Sequence, residues 1–270
     1  MVLCVGDARN TPLPDDSVDL IVTSPPYWSL RDYGIAGEIG GEIDPDEYIR
    51  SLRLVLAEMH RVLKTDGNVF IVIGDKYART GGVDKKVRGR GVDPGGRRHT
   101  RPVQRGVPGV PDGSLVGLPY RLALAAISDG WLWRQDIVWA KPNPLPESVR
   151  RRCVRSHETI LHLTKTAQHY VRWAAEHGGA CGHDVWTVRT KGYRDPGGLS
   201  TPAVYPEELV EIILHQWCPP DGMVFDPFVG SGTSAIVAIR NGHRFTGMDL
   251  NAEMIDVTYR RLVTNNRRST

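Results

Sequence analysis

A polar and aromatic turn, TSPPYW at residues 23 to 28, directly follows the apolar run DLIV. Proline donates no hydrogen bond to a sheet ladder and pushes the residue before it into extended geometry, so a strand must end at this stiff turn. The prolines hold two hydrogen-bond acceptors in place, the Ser24 hydroxyl and the Pro25 carbonyl, and Tyr27 offers a ring face for stacking. A turn that only packs its aromatic residues would have the same composition, so both interpretations remain open.

A second chemical signal is the segment DPFVGSGTSA, in which Gly230 and Gly232 connect an apolar run to a helix-like pattern that begins near Thr233. Glycine lets the backbone approach a ligand closely, and a helix N-terminus favours negative groups. Asp249 ends the next apolar run, where an acid can accept hydrogen bonds from ribose hydroxyls. The segment predicts an adenosine-containing cofactor, and a tight turn without a ligand is the alternative.

The position of this glycine loop in the chain helps to decide between candidate cofactors. Only enough chain for one helix follows Asp249, so the other strands must come from the N-terminal half, in an order rotated relative to a dinucleotide-binding fold. Asp226 directly precedes the loop, where a carboxylate would repel a pyrophosphate but attract an ammonium or sulfonium group. These features favour S-adenosyl-L-methionine over a dinucleotide.

An activated methyl group would give the proline turn a chemical task. A sulfonium methyl is a strong electrophile, so an enzyme need only place a nucleophile in line with it. Acceptors at Ser24 and Pro25 could take both hydrogens of a base's exocyclic amine and direct its lone pair at the methyl, while Tyr27 stacks on the extruded base. The candidate catalytic residues are therefore Ser24, Pro25, Pro26 and Tyr27.

Apolar periodicity predicts alternating strands and helices. Strands are expected in VLCVGD, VDLIVTS, NVFIVIGD, WLWRQDIVWAK and ETILHLTKT and on either side of the glycine loop. Helices are expected in DPDEYIRSLRLVLAEMHRVLKTDG, LPYRLALAAISDG, PEELVEIILHQWC, the segment after GSG, and NAEMIDVTYRRLVTNN. Strand–helix–strand units imply parallel pairing, so we expect one α/β domain over residues 1–270 with a doubly wound, mostly parallel sheet.

Two basic regions could contact nucleic-acid phosphates. Residues 76–116 lose all periodicity and read as a basic loop insertion, and residues 142–200 contain further candidate DNA-recognition loops. A solvated loop without a partner is the alternative for the first region. The candidate DNA-binding residues are Lys85, Lys86, Arg88, Arg90, Arg97, Arg98, Arg101, Lys141, Arg150, Arg151, Arg152 and Arg155.

Composition adds weaker limits. The 270-residue chain has a net charge of +3, so total charge decides little. No apolar run reaches the length of a membrane span, and the apolar start MVLCV is too short for a signal peptide. The four cysteines form no CxxC pair, which favours a reducing cytoplasm and no metal site.

The motifs TSPPYW, RDYG, DPFVGSGTS and GMDLN, taken together, resemble the beta class of amino-group DNA methyltransferases, and the resemblance spans most of the chain. It implies the methyltransferase fold with a circularly permuted motif order, double-stranded DNA as substrate, base flipping and S-adenosyl-L-methionine as cofactor. It also implies a restriction-modification context, with a cognate restriction endonuclease as a possible partner, and a monomer or homodimer. Ser-Pro-Pro-Tyr usually accompanies N4-cytosine methylation in this family and Asp-Pro-Pro-Tyr N6-adenine methylation, so Ser24 favours cytosine, with adenine as the alternative.

The resemblance also implies a set of cofactor contacts. In relatives the segment before the cofactor loop usually contains histidine where this chain has Thr201, so contacts to the methionine end are less well defined. An RNA or protein methyltransferase and a non-catalytic nucleic-acid-binding module are the remaining alternatives. The expected cofactor-binding residues are Asp7, Ala8, Thr23, Thr201, Pro202, Ala203, Asp226, Phe228, Gly230, Ser231, Gly232, Thr233, Asp249, Leu250 and Asn251.

Overall fold

The computed structural model describes residues 1–30, 35–79, 106–172, 182–191, 193–194, 200–201 and 205–266. The strands are β1 Val2–Val5, β2 Val18–Thr23, β3 Leu63–Ile73, β4 Leu132–Ala140, β5 His157–Thr164, β6 Val185–Thr187, β7 Tyr193–Arg194, β8 Ser200–Thr201, β9 Met223–Asp226 and β10 Arg244–Asp249. The helices are α1 Pro45–Val62, α2 Leu118–Ser128, α3 Glu207–Trp217, α4 Thr233–Arg240 and α5 Ala252–Asn266.

One sheet carries the strands in the order β1-β10-β9-β2-β3-β5-β4-β6, while β7 and β8 pair separately. Strands β1, β10, β9, β2 and β3 run parallel to one another, and β5 is antiparallel to both β3 and β4. The predicted α/β fold with a mostly parallel sheet is confirmed. The catalytic turn follows β2 and the glycine loop follows β9, so two adjacent parallel strands carry both motifs to one sheet edge. The description of this order as a circular permutation stays a prediction.

Hydrophobic cores lie on both faces of the sheet. Ile21 packs with residues of α1 and α2, whereas its neighbours Leu20 and Val22 pack with residues of α3 and α4. This alternation follows from strand geometry, in which successive side chains point to opposite faces. Strand β2 is buried along its whole length, so the turn after it rests on a rigid support.

The boundary between α1 and β3 differs from the sequence prediction. The helix begins as expected, with the Asp44 carboxylate accepting from the Asp46 amide, but it ends at Val62 and β3 starts at once at Leu63. Gly67 therefore lies inside the strand and does not end the helix. A Cβ atom there would be 2.6 Å from the Leu63 Cδ1 atom, so close packing explains the glycine.

Strand β6 was also not predicted, since its residues belong to a stretch that we interpret as irregular from sequence. It pairs in parallel with β4 and is the outermost strand on that side of the sheet. Across the ranges given above, none of the helices has the length and apolar character needed to span a membrane. The same ranges contain no cluster of three or more potential metal ligands.

Candidate active site

The catalytic turn and the glycine loop are joined by a direct hydrogen bond. Thr23, the last residue of β2, donates its hydroxyl to Asp226 Oδ1 at 2.6 Å, and both residues are fully buried. These residues are 203 positions apart in sequence, and parallel pairing of β2 with β9 brings them together. Ser24 is therefore held beside the loop that the sequence assigns to the cofactor.

The sequence predicts that the Asp226 carboxylate faces an ammonium or sulfonium group of the cofactor, but in the structure it is surrounded by donors of the protein. Its Oδ1 atom also accepts from the Phe228 amide, at 3.0 Å, and its Oδ2 atom accepts from Ser234 at 2.5 Å and Tyr205 at 3.0 Å. Burial raises the pKa of the carboxyl group, and these hydrogen bonds oppose that rise. Two donors occupy the lone pairs of each oxygen, so a contact with a cofactor ammonium would have to displace one of them.

The glycine loop needs glycine for two separate reasons. Gly230 and Gly232 have positive φ angles of 50° and 81°, which side chains rarely adopt. In addition, a Cβ atom on Gly232 would be 2.6 Å from Thr258 Cγ2 in α5. The Thr258 hydroxyl donates to the Gly230 carbonyl at 2.8 Å, so α5 fixes the loop from behind.

Ser231 and Thr233 are buried, and both face α5. The Arg261 Nη1 atom donates to the Ser231 carbonyl at 3.1 Å and to the Thr233 hydroxyl at 3.2 Å. Arg261 of α5 therefore supports the glycine loop through the Ser231 backbone and the Thr233 side chain.

Asp249 lies at the same sheet edge, at the end of β10. Its Oδ2 atom accepts from the Gly230 amide and its Oδ1 atom from the Asn251 amide, both at 2.9 Å. Burial raises the pKa of Asp249 to about 6. Within the described part of the chain each oxygen has one donor and retains an acceptor position beside the glycine loop, which fits the ribose hydroxyls of S-adenosyl-L-methionine.

The other expected cofactor residues are placed as follows. Asp7 lies after β1 and close to Asp249, because the amide of the preceding residue, Gly6, donates to the Asp249 carbonyl. The Asp7 carboxylate pairs with Arg9 at 2.6 Å. Ala8 is buried, whereas Phe228 and Leu250 are half-buried. The Thr201 backbone belongs to β8, and Pro202 and Ala203 lie outside the described residues.

The catalytic turn is braced from several sides. Tyr48 of α1 donates to the Pro26 carbonyl at 2.9 Å, and the Trp28 indole donates to the Glu42 carbonyl at 2.8 Å. The Tyr27 ring lies against Gly74, where a Cβ atom would be 2.7 Å from Tyr27 Cε2. Trp28 is 3 % exposed, so its ring is packed inside the protein and offers no face on which a base could stack.

Sequence reasoning missed Glu158, which the structure places at the catalytic turn. Tyr27 donates its hydroxyl to Glu158 Oε2 at 2.7 Å. Glu158 stands near the start of β5, and because β5 is antiparallel to β3, this start lies beside the end of β3, with Thr159 opposite Ile73. A glutamate near the start of an apolar run was the available signal, but it indicates a site only when the strand direction is known.

Lys141 also differs from its predicted role as a phosphate contact. Its ammonium pairs with Glu158 Oε1 and lies 4.2 Å from the centroid of the Trp139 ring. The side chain is 15 % exposed. Its charge is therefore used within the protein, at the back of the catalytic turn.

The remaining basic candidates differ in their surroundings. Arg150 and Arg151 are exposed, whereas Arg152 pairs with Glu147 at 2.8 Å and stacks over the Tyr77 ring. Arg155 lies 3.9 Å from Asp75, and its buried Nη1 atom has no hydrogen-bond partner among the described residues. The others lie outside the described part of the chain: Lys85, Lys86, Arg88, Arg90, Arg97, Arg98 and Arg101.

A cavity of about 220 Å³ lies away from these groups. Its lining includes Asp221, Gly242 and His243, which precede β9 and β10, so it opens at the opposite edge of the sheet. The cavity contains none of the residues of the two motifs, so the candidate active site stays at the edge that carries the catalytic turn.

Comparisons with known proteins agree with this geometry. The sequence model of the DNA methylase family of N6 and N4 methyltransferases matches residues 18–260. The chain is 39 % identical to the Type II methyltransferase M.XycI of Xanthomonas campestris pv. cyanopsidis, over 94 % of this chain and 84 % of that protein. It is also 39 % identical to the Type II methyltransferase M.Cfr9I of Citrobacter freundii, over 95 % of this chain and 86 % of the relative.

Solved structures share the fold. The cytosine-N4-specific PvuII DNA methyltransferase superposes with a TM-score of 0.69 at 18 % identity, covering 96 % of this chain and 85 % of the other. A putative DNA modification methylase from Thermus thermophilus, solved with S-adenosyl-L-methionine, superposes with a TM-score of 0.66 at 24 % identity, covering 97 % and 93 %. The predicted enzyme class and cofactor are confirmed: the chain belongs to the N6/N4 DNA methylase family and is an S-adenosyl-L-methionine-dependent DNA methyltransferase.

Proposed function

We propose that this methyltransferase modifies N4 of cytosine at a defined sequence in double-stranded DNA. The observation that carries the proposal is the hydrogen bond between Thr23 and Asp226, which holds the Ser24 turn against the glycine loop. A methyl donor on that loop and an amine at the turn would then be neighbours. Adenine N6 is the second candidate, because it offers the same amine beside a ring-nitrogen acceptor.

The cofactor would lie along the glycine loop. Gly230 and Gly232 allow close approach of the backbone, and the half-occupied carboxylate of Asp249 would accept from the ribose hydroxyls. When bound, S-adenosyl-L-methionine supplies an electrophilic methyl group. The residues of the chain need only orient the acceptor nitrogen and exclude water from it.

The catalytic turn would orient the target base. Ser24 Oγ and the Pro25 carbonyl would accept the two hydrogens of the amine, so that the nitrogen lone pair is directed toward the methyl. The base must leave the duplex to reach this turn, at a cost of a few kcal/mol. Stacking on Tyr27 would recover about 1 to 3 kcal/mol of that cost.

Two observations favour cytosine. Ser24 stands at the first position of the motif, where serine usually accompanies N4-cytosine methylation in this family. The PvuII enzyme, a structural neighbour across nearly the whole chain, is named as cytosine-N4-specific. Both relatives reported above are named as Type II methyltransferases, which supports a cognate restriction endonuclease as a partner of the system.

DNA would be held by exposed basic side chains near the turn. Arg150 and Arg151 are suitable phosphate contacts because they are exposed and make no ion pair within the described ranges. Phosphate contacts fix register and not sequence, so the target motif requires experiment.

The test is expression in a bacterial host without DNA methylation, followed by genome sequencing with modification-sensitive detection. We expect N4-methylcytosine at one recurring motif. Ser24→Ala is the matched control, which should lower transfer by about 10² or more while cofactor affinity stays nearly intact. Detection of N6-methyladenine would replace cytosine by adenine in the proposal. A genome that stays unmodified while the protein is expressed would contradict DNA methylation altogether.

A further inference from the structure

The loop between β4 and β5 starts at the back of the catalytic turn. Strand β4 ends at Ala140 and β5 begins at His157, and both points lie at the edge of the turn, because β5 is antiparallel to β3 and to β4. The first loop residue, Lys141, pairs with Glu158, which accepts the Tyr27 hydroxyl at 2.7 Å. The loop is therefore fastened to the residue on which the target base would stack.

Leu145 lies in this loop, between two prolines of the segment KPNPLP. It is 86 % exposed, the highest value for a large apolar residue in the described ranges. Pro144 has a fixed φ angle, and Pro146 restricts Leu145 to extended geometry. Reciprocal hydrogen bonds of 3.2 and 3.0 Å join the Asn143 side chain to the Thr190 backbone. The backbone that carries the leucine is therefore held before any partner binds, so little of its entropy is lost on binding.

The charge around Leu145 fits a nucleic acid. From residue 141 to residue 155, every charged residue is basic except Glu147. Lys141 and Arg152 pair with acids of the protein, so the exposed Arg150 and Arg151 carry the charge that faces solvent. Basic side chains attract the phosphates of a duplex. The loop therefore combines an apolar side chain with groups that draw DNA toward it.

Ile43, at the same edge of the sheet, is the contrasting case. It is 80 % exposed and precedes α1, whose residue Tyr48 reaches the catalytic turn. The charged residues between positions 38 and 47 are all acidic, and they repel phosphates. An exposed apolar side chain is common by itself, so it is the basic and proline-held surroundings that distinguish Leu145.

We propose that Leu145 enters the DNA duplex at the target site and fills the space that the flipped base leaves. This inference rests on the proposed function, since it requires a base that leaves the duplex. Flipping removes a stacking partner from the neighbouring base pairs. An apolar side chain such as leucine can take that place, because it can be inserted between base steps.

The reach of the loop agrees with this role. The segment from Lys141 to Leu145 spans at most about 14 Å when fully extended, which is close to the width of the major groove, about 12 Å. Because Lys141 is linked to Tyr27 through Glu158, the leucine stays close to the turn that receives the base. Tyr27 would hold the flipped base while Leu145 supports the stack from which the base came.

The experiment measures kcat/KM for methyl transfer to a duplex with the recognised sequence, since this ratio includes both binding and flipping. We compare Leu145→Ala, which removes most of the side chain, with Leu145→Met, which keeps its volume. Ile127→Ala is the matched control, because Ile127 is 49 % exposed near the end of α2, just before β4 starts at the opposite edge of the sheet. A second duplex carries a pyrene nucleotide opposite the target, whose large ring fills the gap without help from the protein.

Leu145→Ala should lower kcat/KM on the ordinary duplex by about 10-fold, because the buried leucine no longer supports the open stack. Leu145→Met should stay within about twofold of wild type, and Ile127→Ala should equal wild type. On the pyrene duplex, Leu145→Ala and wild type should be equal. If the wild-type protein does not methylate that duplex, its binding affinity replaces the rate and should likewise be the same for both proteins.

Binding to DNA without the recognised sequence separates the leucine from a phosphate contact. Leu145→Ala should bind such DNA as wild type does, because no base is flipped there. The combined substitution of Arg150→Ala and Arg151→Ala should weaken binding to both kinds of duplex and reduce the salt dependence.

Four results would overturn the role of Leu145. They are a wild-type kcat/KM for Leu145→Ala, an equal loss of affinity for DNA of any sequence, a loss that the pyrene nucleotide leaves unchanged, and a loss that comes with a lower melting temperature. The wild-type reaction reports separately on the proposed function. Transfer to adenine would leave this inference standing, and no transfer to any DNA amine would remove both.

Discussion

Asp226 and Asp249 end neighbouring parallel strands at the same edge of the sheet, yet their oxygens are used differently. Asp226 accepts four hydrogen bonds, from Thr23, Tyr205, Phe228 and Ser234. Among the described residues Asp249 accepts two, from the backbone amides of Gly230 and Asn251. A carboxylate has about four acceptor positions, so the first residue is saturated and the second is half free.

This difference separates a structural link from a ligand-binding group. Asp226 ties the end of β2, the glycine loop and Tyr205 to one point, while Asp249 presents acceptor positions to the space beside Gly230. Asp226 precedes the glycine loop and Asp249 ends the next strand after it. Both are aspartates, so residue type alone does not distinguish their roles. Counting the donors that each oxygen already has does distinguish them.

The largest expected effect is on stability, from Asp226→Ala. The substitution leaves the Phe228 amide and three hydroxyl groups without their acceptor in a fully buried place, which should cost about 3 to 5 kcal/mol of unfolding free energy. Chemical denaturation of the purified protein measures this loss. Asp249→Ala is the comparison, and an equal loss of stability in both variants would contradict the distinction.

Asp249→Ala should act mainly on cofactor binding. Loss of hydrogen bonds to a charged acceptor should weaken S-adenosyl-L-methionine binding by about 1.5 to 3 kcal/mol. Titration calorimetry measures the affinity. Unchanged affinity in Asp249→Ala would move the ribose contact elsewhere.

Much of the framework could be predicted from the sequence, because the signals for it are local. Apolar periodicity located the strands that carry both motifs, and the proline and glycine turns marked where those strands end. The end of α1 was predicted too late, since Lys64 and Gly67 look like a helix terminus, whereas pairing with β2 draws both residues into β3. The predicted boundary was wrong because a local signal competed with long-range strand pairing.

The partners of the site residues could not be predicted, because they are far apart in the chain. Thr23 meets Asp226 across 203 residues, and Tyr27 meets Glu158 across 131. From the sequence, Tyr27 offers only a ring face, so Tyr27→Phe would lower activity much less than Tyr27→Ala. The hydroxyl contact with Glu158 shows that the phenol group also has a partner, which Tyr27→Phe would remove.

A smaller loss of stability is expected from Thr23→Val, which tests the role of Asp226 through one of its donors. Valine has nearly the shape of threonine but removes one of the four donors to Asp226, which should cost about 1 to 2 kcal/mol of stability. The turn at Ser24 should also become less well placed, so the transfer rate falls while cofactor affinity stays constant. A fall in cofactor affinity as large as that of Asp249→Ala would mean that the two acids act on the same ligand. Unfolding curves, calorimetry and single-turnover rates on the same preparation separate these outcomes.

The smallest expected effect is a pH dependence that belongs to Asp249. Burial raises its pKa to about 6 in the folded protein, above the ordinary value of 3.8, so the folded state holds this proton more tightly than the unfolded chain does. Ionising Asp249 therefore lowers stability as pH rises from about 4 to about 6. The ionised carboxylate is the better acceptor for ribose hydroxyls, so cofactor binding should have the opposite trend and weaken about tenfold from pH 8 to about pH 5. Calorimetry across this range should also detect proton release on binding below about pH 6, because bound ribose favours the ionised form.

Asp249→Asn should flatten the pH profile of cofactor binding, since an amide does not titrate. A tenfold change that persists in Asp249→Asn would assign the pH dependence to another group and remove this test of the free acceptor positions.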